Sequence, residues 1–204
     1  MKLKFAMAAL GAVALAGCAS MMYAPPTKEE TLAVIKSSFK DRGIAKIDRL
    51  NQTELQRVCS ETGNNPPKEV RERLEKAALA AVKYPTDSKW LGDYKQGERV
   101  AQTGVGLQWS DKEGAPAGGN CYACHQLSKA EISFGNIGPS LYNYGKLRGN
   151  TEQTLRYTWA KIWNTHAFNA CSPMPRFGDA GILTEAQIKD VMALLLDPAS
   201  PVNQ

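Results

Sequence analysis

Residues 121–125 read Cys-Tyr-Ala-Cys-His and bring two thiols and an imidazole together at a spacing suited to chemistry. On one helical turn, the thiols of Cys121 and Cys124 can each add to a vinyl group of the same porphyrin, and His125 then lies under the iron as proximal ligand. This pattern is the attachment signature of a c-type haem. The alternative is a redox-active or zinc-binding Cys-x-x-Cys. A zinc knuckle needs a second Cys or His pair, and no such pair stands at suitable spacing in a chain with two histidines.

The beginning of the chain predicts export, which covalent haem requires because haem c is attached outside the bacterial cytoplasm. Two lysines precede a short apolar run, which is the plan of a signal peptide over residues 1–17. The run is too short to span a bilayer. It ends in Leu15–Cys18, which matches a lipobox and predicts lipidation at Cys18, so that a periplasmic domain is tethered to a membrane. Ordinary cleavage a few residues later, near Ser20 or Ala24, is the alternative.

Composition limits the function classes. The formal charge is +5, and two of these charges belong to the signal, so the charge is too weak and dispersed to indicate nucleic-acid binding. Two cysteines, Cys59 and Cys171, are left after the haem and lipid assignments. In an oxidising compartment spare cysteines most often pair, which predicts a Cys59–Cys171 disulfide; two separate buried thiols are the alternative.

The elements that must position these groups are predicted to be helices. The chain divides into a helical N-terminal extension over 25–89 and a haem domain over 90–204. Gly97 lies inside one predicted helix, where an interior glycine usually marks a close helix contact because it costs about 1 kcal/mol relative to Ala. Apolar spacing and capping residues predict helices over 27–39, 51–59, 70–82, 92–100, 151–163 and 184–197.

The haem domain resembles a class I cytochrome c, which implies an all-α fold and one covalent haem c. The resemblance rests on the interior glycine, the Cys-x-x-Cys-His motif, a Gly-Pro-x-Leu turn at 138–141 and a methionine loop before the last helix. More narrowly, that turn, the aromatic helix with Trp159, and the Met-Pro-Arg-Phe-Gly sequence at 174–178 resemble the SoxX family. The narrower resemblance covers roughly residues 90 to 200.

This resemblance implies further roles. The Pro139 carbonyl accepts a hydrogen bond from the His125 ring, Leu141 packs on the porphyrin, and Trp159 lines the haem pocket. Met174 is implied as the sixth ligand, and its two flanking prolines independently favour it, since a thioether ligand needs a rigid, irregular segment at the crevice. His166 is the competing ligand, and an open sixth site is the third alternative.

SoxX proteins are the smaller cytochrome subunits of the periplasmic thiosulfate-oxidising SoxAX complex. The resemblance therefore implies the electron-transfer subunit of a haem-dependent L-cysteine S-thiosulfotransferase, with the bond-making site on a SoxA-type partner. The other expected partners are a carrier protein with a substrate cysteine and a soluble cytochrome c that accepts electrons. The alternative is a stand-alone, membrane-tethered monohaem cytochrome c.

Overall fold

The computed structural model describes residues 25–204, in which every regular element is helical. The only β feature in this range is an isolated bridge between Arg42 and Ala45. The prediction of an all-α chain is confirmed. The predicted signal peptide at 1–17 and the predicted lipidation site Cys18 lie outside the described residues. No helix within the described range has the length and apolar character needed to cross a bilayer.

Seven α-helices and four 3₁₀ turns make up the described structure. The α-helices are α1 Lys28–Ser38, α2 Glu54–Glu61, α3 Lys68–Ala80, α4 Tyr94–Gln102, α5 Tyr144–Arg148, α6 Glu152–Trp163 and α7 Glu185–Leu196. The 3₁₀ turns are Ile47–Leu50, Cys121–Ala123, Thr165–Ala167 and Pro201–Asn203.

Threonine side chains begin four of these helices. Thr27, Thr53 and Thr184 each form a capping box, in which the hydroxyl accepts from the third helical N–H and that residue's Glu or Gln reaches back to the threonine. Thr151 caps α6 through its hydroxyl alone. These caps satisfy N–H groups that have no partner inside the helix, so the starts of these helices are encoded locally.

The chain forms two compact units. Residues 41–204 form one, and the described residues before Asp41, including α1, belong to the other. No residue of α1 is buried. Helices α2 and α3, assigned from sequence to the extension, lie in the same unit as the haem domain, and Val82 shares its apolar core. The sequence boundary at residue 90 stays a prediction, but the residues on both sides of it share one core.

The core centres on α4, α6 and α7. Every residue from Val191 to Leu196 is buried, and each large apolar side chain so removed from water contributes about 1.5–3 kcal/mol. At Gly97 the backbone of α4 touches α7, because a Cβ there would lie 2.1 Å from the Asp190 carbonyl oxygen. The close helix contact predicted from Gly97 is confirmed.

Candidate haem site

The two thiols of the Cys-x-x-Cys-His motif lie on one tight turn. The peptide N–H groups of Cys124 and His125 both donate to the Cys121 carbonyl, at 3.1 and 2.9 Å. Both cysteines are free, whereas the other two described cysteines are bonded to each other. Cys121 packs against the core, and burial raises the pKa of its thiol to about 12. The turn therefore presents two unpaired thiols beside one imidazole.

A hydrogen bond fixes the tautomer of His125. Its Nδ1 lies 2.7 Å from the carbonyl oxygen of Pro139. A carbonyl can only accept, so Nδ1 carries the proton and Nε2 keeps the lone pair that binds a metal. The partner segment is itself held in place, because Gly138 N–H donates to the Cys124 carbonyl at 2.8 Å and Leu141 N–H donates to the Gln126 carbonyl at 2.7 Å.

Gly138 sets how closely this segment approaches the imidazole. A Cβ at position 138 would lie 2.1 Å from Cε1 and 2.6 Å from Nε2 of His125. Any side chain would therefore push the ring away. The glycine forms a cradle for the His125 ring, and this role could not be distinguished in the sequence from that of an ordinary turn residue.

Met174 stands on an irregular loop between α6 and α7. Its neighbours Pro173 and Pro175 are exposed, whereas Met174 is partly buried and packs against the core. Its N–H donates to the Ser172 hydroxyl at 3.2 Å. The loop thus holds one thioether against the apolar interior, as a methionine ligand requires.

His166 is engaged with this same loop. It is buried in the 3₁₀ turn Thr165–Ala167, and its Nε2 lies 3.3 Å from the Ser172 carbonyl oxygen. That oxygen only accepts, so Nε2 is the donor. Burial lowers the pKa of His166, which favours the neutral ring. A nitrogen that donates this bond cannot bind iron at the same time.

The disulfide joins the helices before the haem motif to the methionine loop. Cys59 in α2 is bonded to Cys171, three residues before Met174. Next to it, Ala170 N–H donates to the Glu75 carboxylate of α3 at 3.1 Å. Nothing in the sequence pointed to Glu75, which reads as an ordinary solvated charge on a helix.

Trp159 lies in the protein core. It is fully buried, and its indole N–H donates to the Lys83 carbonyl at 2.8 Å. Its ring is stacked with that of Trp163 at a centroid distance of 6.1 Å. It contacts the ring of Trp90 edge-to-face at a centroid distance of 6.0 Å. Leu141 is partly buried against the same core. Contact of Trp159 and Leu141 with haem stays a prediction, while the hydrogen bond of Trp159 ties α6 to the segment before residue 90.

The donor set fits covalent haem. Two free thiols on one turn suit two thioether bonds, and an imidazole with a fixed tautomer suits an axial position. A partly buried thioether offers a second axial ligand. A zinc site does not fit, because no three His, Cys, Asp or Glu side chains among residues 25–204 converge on a common point.

Comparison with known proteins gives the family. The cytochrome c family model matches residues 112–197, which include the attachment turn and the methionine loop. An uncharacterised lipoprotein of Aquifex aeolicus is 37% identical over 155 residues, covering 75% of this chain and 73% of that protein. The chain therefore contains a cytochrome c domain, which with the all-α fold and this donor set is of class I and carries haem c covalently.

Proposed function

We propose that this chain transfers electrons with both axial positions of its haem iron filled by the protein. The observation that carries the proposal is the pairing of His125, whose Nε2 is left free to bind metal, with Met174 on a restrained loop. When bound, haem c supplies a one-electron ferric/ferrous couple, and a methionine ligand raises its reduction potential. Because the chain occupies both positions, it leaves none for a substrate, and its role is outer-sphere electron transfer.

The more specific role that we propose is the electron-accepting subunit of a thiosulfate-oxidising complex. In that reaction a carrier cysteine and thiosulfate lose one proton and two electrons as a bond forms between the cysteine sulfur and the outer sulfur of thiosulfate. The bond-making site lies on a SoxA-type partner, and this chain accepts the electrons one at a time and passes them to a soluble cytochrome c. The Met-Pro-Arg-Phe-Gly sequence at 174–178 and the aromatic helix α6 both resemble SoxX proteins, and this resemblance supports the role.

A stand-alone tethered carrier is the second candidate. The Aquifex relative is named a lipoprotein, and the present chain has the lipobox-like Leu15–Cys18. Lipidation at Cys18 would hold the haem domain at a periplasmic membrane face without a spanning helix. This anchor is compatible with either role, so it does not decide between them.

Reconstitution separates the two roles. The purified holoprotein alone should not be reduced by thiosulfate. Addition of a SoxA-type subunit and a carrier with a free cysteine should make its haem reducible, which is followed by absorbance, whereas a carrier with that cysteine replaced by serine should not. Stable association should bury at least about 1,000 Å². If the chain stays monomeric with SoxA, and its deletion leaves thiosulfate oxidation intact, the stand-alone role replaces the first.

Ligation is tested separately. Ferric wild-type protein should show the weak far-red sulfur-to-iron charge-transfer band, and Met174→Ala should abolish it. His166→Ala should retain a measurable band. Absence of this band from the wild-type protein, together with a low-spin ferric haem that His166→Ala converts to high spin and Met174→Ala does not, would assign the sixth position to His166 instead.

A further inference from the structure

Ser172 is the centre of a hydrogen-bonded cluster two residues before Met174. Its hydroxyl oxygen accepts from the Met174 N–H at 3.2 Å and from the Thr165 hydroxyl at 3.2 Å. Its carbonyl oxygen accepts from His166 Nε2 at 3.3 Å. One residue therefore links the peptide N–H of the methionine to two side chains of the preceding turn.

The two donors stand on a rigid base. Thr165 is 0% exposed and His166 is 8% exposed. Their 3₁₀ turn follows α6 directly, and Asn164 caps it by accepting from the His166 N–H at 3.1 Å. The side chains of Thr165 and His166 are thus held in place by burial, independently of their hydrogen bonds to Ser172.

The loop is held from its other side as well. Cys171 is bonded to Cys59 of α2, and Ala170 N–H donates to Glu75 of α3. Residues 170–172 are therefore fixed by α2 and α3, which are distant in sequence, and by the neighbouring 3₁₀ turn. By contrast, the exposed Pro173 that follows has no N–H to donate.

We infer that His166, Thr165 and Ser172 are positioning residues that hold the loop so that the Met174 sulfur stays on the iron. This inference rests on the proposed ligation by Met174. Without these bonds the loop populates detached conformations, and any external ligand then competes with a smaller fraction of attached methionine. The apparent affinity for an external ligand increases in proportion to the detached fraction.

Imidazole is a suitable probe, because its binding to the ferric holoprotein requires displacement of the sixth ligand. Each lost hydrogen bond should tighten apparent imidazole binding about 2- to 13-fold, which corresponds to about 0.5–1.5 kcal/mol. We expect this range for His166→Ala and at least as large an effect for Ser172→Ala, which removes the acceptor of two bonds. Thr165→Val keeps the side-chain shape, removes one bond, and serves as the milder variant. His166→Gln supplies an amide N–H near the position of Nε2–H and should restore most of the wild-type affinity.

Ser200→Ala is the matched control. Ser200 is 0% exposed, and its hydroxyl donates to the Leu194 carbonyl at 2.5 Å, at the end of α7. The same hydroxyl accepts from the Val202 N–H at 3.3 Å and from the Asn203 side chain at 3.5 Å. This variant therefore loses buried hydrogen bonds that lie outside the methionine loop, so it should lower the melting temperature without tightening imidazole binding. A general loss of stability would instead tighten binding in Ser200→Ala and in the loop variants alike.

The outcomes are distinct. Tighter imidazole binding in the Ser172, His166 and Thr165 variants, with none in Ser200→Ala, supports the inference. Wild-type affinity in all three loop variants, combined with tighter binding in Met174→Ala, overturns the positioning role and leaves ligation intact. Absence of the sulfur-to-iron band in the wild-type protein overturns the proposed ligation itself.

Discussion

Replacement of Gly97 by alanine should change the free energy of unfolding in two opposite ways, through helix propensity and through a steric clash. In a free helix, alanine would stabilise α4 by about 1 kcal/mol relative to glycine. In the folded chain the new Cβ would lie 2.1 Å from the Asp190 carbonyl oxygen, 2.6 Å from its carbon and 3.0 Å from Leu194 Cβ. A carbon–oxygen contact needs about 3.3 Å, so α4 and α7 must separate by roughly 1.2 Å.

The cost of the clash should exceed the gain in helix propensity. Overpacking a close-packed core costs about 1–3 kcal/mol, and a helix carbonyl cannot rotate away as a flexible side chain can, which favours the upper end. After the gain in propensity is subtracted, Gly97→Ala should lower the free energy of unfolding by about 2 kcal/mol. For a chain of this size, that change lowers the melting temperature by about 4–8 °C.

Guanidinium unfolding followed by circular dichroism measures the change, with the midpoint shifting and the slope unchanged. Gly114→Ala is the control: its Cβ would meet nothing within 4 Å, and only its positive φ of 75° opposes alanine, at about 1 kcal/mol. If Gly97→Ala is as stable as the wild type, or more stable, the gain in helix propensity is at least as large as the cost of the clash. That result would refute the close contact between α4 and α7.

Three further predictions follow from the site. Gly138→Ala should displace the His125 ring and convert part of the ferrous haem to high spin; an unchanged low-spin absorption spectrum would contradict the cradle. Replacing Cys59 and Cys171 together by alanine should cost about 2–4 kcal/mol, with about 5 kcal/mol as the chain-entropy limit for a separation of 112 residues; a change below about 1 kcal/mol in denaturant unfolding would show that the bridge adds little stability. Because burial lowers the pKa of His166 below its ordinary 6.5, the unfolded chain binds the proton first as pH falls, so stability should decrease below about pH 6.5; pH-dependent melting of His166→Gln should lack this contribution, and an identical pH slope would refute it.

Local signals predicted most of the helices. The cap-like residues 51–54, the capping residue Thr184 and the apolar spacing of α6 each lie within one turn or one face, so the sequence alone predicts these helices. The sequence did not predict helix α5, because the residue before it, Asn143, has a positive φ of 58° and its side chain makes no capping bond. Its position depends on distant contacts such as that of Lys146 N–H with the Asn203 side chain.

In the candidate site, as in the helices, the sequence predicted the local features but not those that depend on long-range contacts. The sequence predicts Cys121, Cys124 and His125 as haem-binding residues because covalent attachment demands one fixed spacing. The support of the methionine loop could not, because Glu75 lies 95 residues from the Ala170 N–H that it accepts from. His166 shows what the sequence could not predict. Its residue type suggests a ligand, and only the fold reveals that its Nε2 donates to the Ser172 carbonyl oxygen.

The Cys59–Cys171 bond has a consequence for how the protein is made. Cys121 and Cys124, the proposed haem-binding thiols, lie inside the covalent loop that it closes, so these two thiols must stay reduced while Cys59 and Cys171 are oxidised. The four cysteines after Cys18 allow three complete pairings, and all three consume Cys121 and Cys124, so these two thiols stay available only when Cys59–Cys171 is the single bond formed. Cys59 is 7% exposed once folded, which shields its bond from reductants that serve haem attachment. Maturation of this chain therefore depends on the order in which oxidation, folding and haem ligation occur during biogenesis.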